Sequence, residues 1–489
     1  MKRRIVAAVL VLAMTGVLAG GCGNSKEQAK KVELDPDNPV SLTVWHYYNG
    51  TQQATFDELI EEFNATVGKD EGIYVEGHSH GAVADLEKAI NSSLNGEVGA
   101  EDLPDIFSSY ADTAFSVQKE GKLADLTEYF TEDELDKYVD SYIQEGYFNQ
   151  DGALYLLPVA KSTEIMMLNQ TDWEPFAAAT GVTLDDLQTI EGVADVAEKY
   201  YKWTDEQTPD VPDDGKAFYG RDSMANYFVI GMRQMGKEIF EVNDGKVTLN
   251  TDKELIRRLW DNYYVPYVKG YFASYGKFRS DDVKTGNILA YTGSTSSSFY
   301  FPDSVETETD SYPITCIVQE APIMEGGEPY KVQQGAGMAV TKSDEQHEYA
   351  SCVFLKWFTQ KEQNLRFVCE SAYMPVLKQS NNMEALDTVI EEDDIQMNEK
   401  AYECLKTAID AFDQTKFYST KNFENGYSAR KVLDYNLSDH AVADKQAIDD
   451  AVAAGASREE ETKKYISEEA FENWYQEFCD ALEAAVEQK

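Results

Sequence analysis

Two apolar runs, Leu154–Leu157 and Ile165–Leu168, enclose a polar interruption in which Ala160-Lys-Ser-Thr-Glu164 offers an ammonium, two hydroxyls and a carboxylate. Each run is long enough for a buried strand, so the interruption is expected between two anchored elements. Pro158 removes a backbone donor where the first run ends. Lys161, Ser162, Thr163 and Glu164 then stand between two anchored strands, although a surface loop has the same composition and is the favoured reading of these residues taken alone. Trp45, Tyr47 and Tyr48 close the alternating run that begins at Val40, and they offer flat apolar faces with hydroxyl rims. Trp45 serves a core equally well. Tyr110 and Asp112 follow the run Leu103–Phe107; a carboxylate there accepts two neighbouring hydroxyls or caps the next helix. Gly293 and Ser294 open Gly293-Ser-Thr-Ser-Ser-Ser298, where a residue without a side chain brings backbone donors close to a ligand.

Bond-breaking chemistry finds little support. There is no G-x-S-x-G, no H-E-x-x-H and no Walker A motif. His78 and His80, one residue apart in a polar turn, are too little for a metal site. A glycosidase needs two carboxylates about 5–10 Å apart, but 88 acidic residues make such pairs uninformative. The reading is binding without catalysis, with no metal and no cofactor.

A chain of 489 residues exceeds one typical domain, and 43% hydrophobic with 12% aromatic content indicates a folded protein. Its formal charge of −45 argues against nucleic-acid partners. Met1-Lys-Arg-Arg4 followed by the apolar run Ile5–Leu18 reads as a signal-peptide core, too short for a comfortable membrane span. Five cysteines beyond Cys22 are widely spaced without C-x-x-C, which favours buried thiols over a disulfide framework.

Spacing predicts a strand at Val40–Trp45, a helix carrying Phe56, Leu59, Ile60 and Phe63, a strand at Ile73–Val75, a helix over Val83–Leu94 and a strand at Leu103–Phe107. This β-α-β-α-β order implies a parallel sheet whose strand ends share a crevice. Farther on, Leu184–Tyr201 and Asn226–Met235 read as helices and Ile239–Asn250 as a hairpin turning at Asn243-Asp-Gly-Lys246. Capping boxes are expected at Thr131, Thr251 and Ser343. Beyond Met383 the chain reads as helices, the last carrying Phe471, Trp474 and Phe478.

Leu42-Thr-Val-Trp45, Pro104-Asp-Ile-Phe107, the Leu154–Asn169 stretch, the Gly245–Glu254 hairpin and cap, the Gly293 segment, Gly335–Val340 and Met374-Pro375, in this order, resemble the extracellular solute-binding proteins of ABC importers. The match runs over roughly 41–435 and lies in the sugar and glycerol-3-phosphate-binding, maltose-binding-protein-like branch. Leu18-Ala-Gly-Gly-Cys22 resembles a bacterial lipobox, with Ala19 where Leu is usual, so that residues 1–21 are a signal peptide, Cys22 is lipidated and residues 22–40 are a flexible tether. The resemblance implies an α/β fold of two lobes with a ligand cleft between them: residues 41–126 plus 314–366 in lobe 1, and 127–313 plus 367–489 in lobe 2. It implies a monomer, anchored outside the cell membrane, that closes on its ligand and delivers it to ABC permease subunits. Asn226, which is equally a helix cap, joins the ligand-binding set with Tyr227 alongside, and so do Gln334, Gly335 and Tyr373; Gln334 departs from the paired glycines usual there. The full set is Trp45, Tyr47, Tyr110, Asp112, Ser162, Thr163, Asn226, Gly293, Ser294, Gln334, Gly335 and Tyr373. A neutral carbohydrate is the first reading of the ligand. A glycerol-3-phosphate or sugar-phosphate ester is the second, since Trp45–Gly50, Ser162-Thr163 and Gly293–Ser298 look like that branch and a serine-rich helix start suits an anion. A polysaccharide-binding adhesin and a secreted glycosidase are the alternatives of other classes.

Overall fold

The structure, a computed structural model, describes residues 29–148, 151–243 and 245–487. The signal segment and Cys22 lie outside the described residues. Two sheets and one short parallel pair organise the chain, built from β1 (Val40–His46), β2 (Ile73–Ser79), β3 (Ile106–Ser109), β4 (Leu157–Pro158), β5 (Glu164–Asn169), β6 (Tyr219–Arg221), β7 (Ala290–Ser294), β8 (Cys316–Glu320), β9 (Tyr330–Val332), β10 (Gly337–Val340) and β11 (Lys416–Tyr418). The helices that bear on the site are α1 (Gly50–Ala65), α2 (Val83–Leu94), α3 (Ala111–Lys119), α4 (Met224–Gln234), α5 (Lys253–Val268), α6 (Glu345–Phe358), α7 (Lys361–Ser371), α8 (Glu399–Asp410), α9 (Gly426–Ala453) and α10 (Glu468–Glu487).

The first lobe carries the sheet β2-β1-β3-β10-β4, with β1 parallel to β2 and β3 and β10 antiparallel to its neighbours. Helix α1 turns Phe56, Leu59, Ile60 and Phe63 inward, the helical spacing seen in the sequence, and Phe56 meets Phe358 of α6 edge-on at 5.3 Å. The second lobe carries β8-β5-β7-β6. Every residue of β5 is buried, and the strand's two-residue period divides them between two clusters. Met166 and Leu168 join the core formed with α4, α5, α9 and α10, whereas Ile165 and Met167 pack with Val283, Tyr291 and Cys404.

Core packing divides the chain differently from the expected boundaries. Residues Leu126–Ala160 and Phe367–Ile409 contribute to the first-lobe core, because β4 completes that sheet against β10. Cys316–Glu320 belongs to the second sheet, pairing antiparallel with β5. Two passages between the lobes, at Ser162 and Gln334, lie side by side. Ser162 and Gln334 exchange backbone hydrogen bonds of 2.8 and 3.0 Å, and Lys161 pairs with Met374. The short parallel pair β9 and β11 lies at the same junction. Helix α8 is shared: Ala401, Leu405, Ala408 and Ile409 sit in the first-lobe core and Cys404 beneath the second sheet.

The second half of the expected tether is docked. The Lys30 N–H donates to Glu128 O at 2.8 Å, its ammonium lies 2.9 Å from Glu345, and Leu34 packs against the first-lobe core. Both caps expected one residue earlier belong to aspartates, Asp252 for α5 and Asp344 for α6; Thr131 makes its full capping box. Helix α10 packs into the second-lobe core through Phe471, Trp474, Phe478 and Leu482, with Phe478 stacked on Phe228 of α4 at 5.1 Å. Cys316, Cys352, Cys369, Cys404 and Cys479 are free thiols. Among the described residues no helix is long and apolar enough to cross a membrane, and no cluster of three or more His, Cys, Asp or Glu could hold a metal.

Candidate functional site

A cavity of about 340 Å³ opens at the junction of the lobes, within the size range of small-molecule sites. The first lobe supplies Glu87 of α2 with Tyr110 and Asp112 at the start of α3; the second supplies Asn226 of α4 and Phe240. Between them stand Gln333 and Gln334 of a passage, and the wall is completed by Tyr418–Phe423 and by Tyr427, Arg430, Lys431 and Asp434 of α9.

A buried polar layer underlies it. Arg221 donates to Glu164 at 2.8 Å, Asn226 donates through Nδ2 to Glu164 and Gln334 at 3.0 Å each, and Arg430 donates to Asn226 Oδ1 at 2.8 Å. With its amide committed on both sides, Asn226 holds the Arg430 guanidinium in the cavity wall. Ser223, not Asn226, caps α4, and Asp434 of α9 accepts the Ala225 N–H at 2.8 Å in the same first turn. Glu145 is paired with the buried Lys161 and accepts from Gln333 at 3.0 Å. Glu87 and Asp112 are the carboxylates least compensated. Burial, then the Asp112 charge, pushes the Glu87 carboxyl up to about 7. Burial raises Asp112 too, against the opposing pull of Arg430. Burial likewise drives the Tyr110 hydroxyl upward, so it stays protonated. The cavity thus combines acceptors, donors and aromatic faces in an arrangement that fits vicinal hydroxyls.

Of the residues singled out in the sequence, Tyr110, Asp112, Asn226 and Gln334 line this cavity. The others do not reach it. Trp45 is 5% exposed, inside the first-lobe core, with its ring 4.8 Å from His80. A strand end flanked by β2 and β3 and covered by helices buries its rings, so Trp45 offers no open platform. Tyr47 and Tyr373 are buried and share a 3.2 Å hydrogen bond between their hydroxyls. Ser162 and Thr163 are buried in the passage between lobes, where Ser162 pairs with Gln334 and the Thr163 carbonyl accepts the Thr295 N–H at 2.9 Å. Gly335 has φ +96°, and a Cβ there would stand 2.8 Å from Ala160 O, so this glycine lets two passages touch. Gly293 is a ladder residue opposite Ile165, and a Cβ on it would meet the Asp222 carboxylate at 2.5 Å. Ser294 caps a six-residue 3-10 turn, Thr295–Tyr300, and Ser297 bonds the Ser294 carbonyl at 2.6 Å. Both hydroxyls are therefore spent on the turn's own backbone, which removes the long serine-rich helix start from the anion argument.

The sequence reading missed Glu87, Glu145, Gln333 and the whole 418–434 wall. The one available signal was Arg430-Lys431, adjacent cations in an acidic chain. Elsewhere between the lobes, Lys119 of the first lobe lies 3.0 Å from Glu424, and Tyr300 donates to Asn49 at 3.1 Å.

Two α/β lobes joined by several passages, with a polar cavity at the junction, define a two-lobed solute-binding architecture. The chain belongs to the bacterial extracellular solute-binding protein family, whose profile matches residues 58–401. That family places it outside the cytoplasm. Its fold is similar to the cyclic α-maltosyl-1,6-maltose binding protein of Arthrobacter globiformis, at 18% identity and TM-score 0.62, covering 92% of this chain and 99% of that one. It is also similar to UgpB of Mycobacterium tuberculosis, solved with glycerophosphocholine, at 16% identity and TM-score 0.62, covering 91% and 99%. A third similar structure is the substrate-binding protein Lmo0181 of Listeria monocytogenes, solved with cycloalternan, at 16% identity and TM-score 0.62, covering 91% and 100%. No curated protein matches the sequence.

Proposed function

We propose that this protein captures a neutral carbohydrate outside the cell and delivers it to the permease of an ABC importer, tethered to the membrane through a lipid on Cys22. The observation that carries the reading is Asp112 and Arg430 in one aromatic-walled cavity, reached from opposite lobes. A carboxylate accepting and a guanidinium donating suit adjacent hydroxyls, and Tyr110, Phe240, Tyr418 and Tyr427 supply faces for the C–H surfaces of a sugar ring. Glu87 and Asp112 disfavour a phosphate by like charge. Arg430, Lys431 and Lys421 in the same wall favour one, and keep a glycerol-phosphate ester as the second reading.

Calorimetric titration of neutral sugars beside glycerol-3-phosphate and inorganic phosphate decides between them. The carbohydrate reading expects heat from a neutral sugar, and a loss of about 10- to 100-fold in affinity on Asp112→Asn, the range for a charge-assisted hydrogen bond in a closed site. Binding of glycerol-3-phosphate with no sugar response replaces it by the second reading. For the anchor, Cys22→Ala is expected to release the protein from the membrane fraction, and retention there removes that part of the reading.

A further inference from the structure

Helix α9 packs one face inward through Ala429, Leu433 and Leu437. On the opposite face Tyr427, Lys431 and Tyr435 recur at four-residue spacing, which puts them in one line. Tyr427 and Lys431 line the interlobe cavity, and Tyr435 stands one turn beyond them, outside it. Tyr427 is 41% and Tyr435 53% exposed, although a large ring standing in water is a natural candidate for burial. The Lys431 ammonium lies 5.1 Å from the Tyr427 ring centre and 5.4 Å from that of Tyr435, so one cation holds both rings along the helix. Eight residues of helix separate the two tyrosines by about 12 Å, more than one pyranose ring spans.

Resting on the carbohydrate reading above, we propose that the binding site continues out of the cavity along α9, and that the solute is an oligosaccharide whose leading units fill the cavity while a later unit stacks on Tyr435. The occupant follows from continuity: a chain leaving the cavity past Tyr427 and Lys431 meets Tyr435 next on the same face. The ring of Tyr435, rather than its hydroxyl, is the recognising surface, because pyranose C–H faces pack on aromatic carbon. Lys431 keeps the ring from folding back on the helix and donates to hydroxyls at the edge of the stacked unit.

The test is calorimetric titration of the full chain with maltose, maltotriose, maltotetraose, maltohexaose and the corresponding β-1,4-mannan series, for the natural protein and for Tyr435→Ala, Tyr435→Phe and Asp112→Asn. Affinity is expected to rise with chain length in the natural protein. Tyr435→Ala is expected to lower it about three- to tenfold for the longer members, the range of one aromatic contact, and to leave the disaccharide as before. Tyr435→Phe should keep the natural behaviour, and Asp112→Asn should weaken every length alike. Because Tyr435 stands in solvent, thermal unfolding of its variants should match the natural protein. Equal loss at every length, or none at any, overturns the extended site while leaving a carbohydrate-binding cavity in place. Failure of all the sugars to bind overturns the carbohydrate reading and this one with it.

Discussion

The end of β1 and the start of α9 are both dense in aromatic and ionisable residues, yet the structure uses them in opposite ways. Trp45-His-Tyr-Tyr48 lies between two parallel neighbours and under α1 and α7, so that His46 and Tyr48 stack at 5.1 Å and Tyr48 meets Phe367 at 4.9 Å, away from water. Tyr427–Tyr435 lies on the outward face of an amphipathic helix, and its rings stay open beside the cavity. Aromatic density alone therefore separates poorly a core from a binding surface. What separates them is whether both faces of the element are covered.

The largest test of this contrast is Trp45→Ala. As a core truncation it should cost about 3–5 kcal/mol in urea unfolding, whereas Tyr435→Ala should stay within about 0.5 kcal/mol. A Trp45→Ala protein of natural stability with impaired ligand binding would reverse the assignment of that strand end. Next in size is the behaviour of His46, which is wholly buried, with neither ring nitrogen hydrogen-bonded. Burial, with His80 and His78 adding like charge, lowers it from 6.5 to about 4. The unfolded chain then binds a proton that the folded one refuses. Stability present above pH 6.5 is lost as pH falls toward 4, by about 2–3 kcal/mol. Denaturant midpoints measured at pH 7 and pH 4.5 should show this slope, and His46→Phe should flatten it.

Glu87 gives the smallest effect and the opposite sign. Its carboxyl, raised from 4.5 to about 7, holds a proton in the folded state that the unfolded state has released. Stability on its account is greatest below pH 4.5 and falls as pH rises through 7, by about 1–2 kcal/mol once water at the cavity mouth is allowed for. Glu87→Gln should remove this slope and raise the unfolding midpoint at pH 8. An unchanged pH profile would mean that Glu87 is solvated and the cavity wetter than its walls suggest.

Much of the framework was legible in the sequence because it rests on local pattern. The helix Val83–Leu94 and the hairpin turning at Asn243–Lys246 stand where periodicity and turn residues put them. Caps shifted by one residue where two capping side chains are adjacent, as at Thr251-Asp252 and Ser343-Asp344, since either can fold onto the first-turn amides. Strand partnership was not legible. Cys316–Glu320 pairs with β5 across some 150 residues of chain, and nothing in a five-residue strand names its partner. The same limit explains the candidate site. Asp112 and Asn226 carry their chemistry in their residue types, but Arg430 reaches Asn226 over 204 positions and reads locally as one charge on a polar helix face. Ser162, Thr163 and Gly335 have the composition of a ligand loop and instead form the junction between lobes, because a polar segment crossing between two buried strands must satisfy its own backbone.

Helix α8 fastens the two lobes to each other. It is seated in the first-lobe core through Leu405 and Ile409, while Cys404 fits beneath Ile165, Met167 and Tyr291 of the other lobe, and Lys400 donates to Phe301 O at 2.6 Å. Drawing the lobes apart at this point would lift Cys404 from its apolar seat and take the Lys400 ammonium from Phe301 O. The helix thus acts as a rivet between two cores, one turn of it carrying Leu405 into the first and Cys404 into the second.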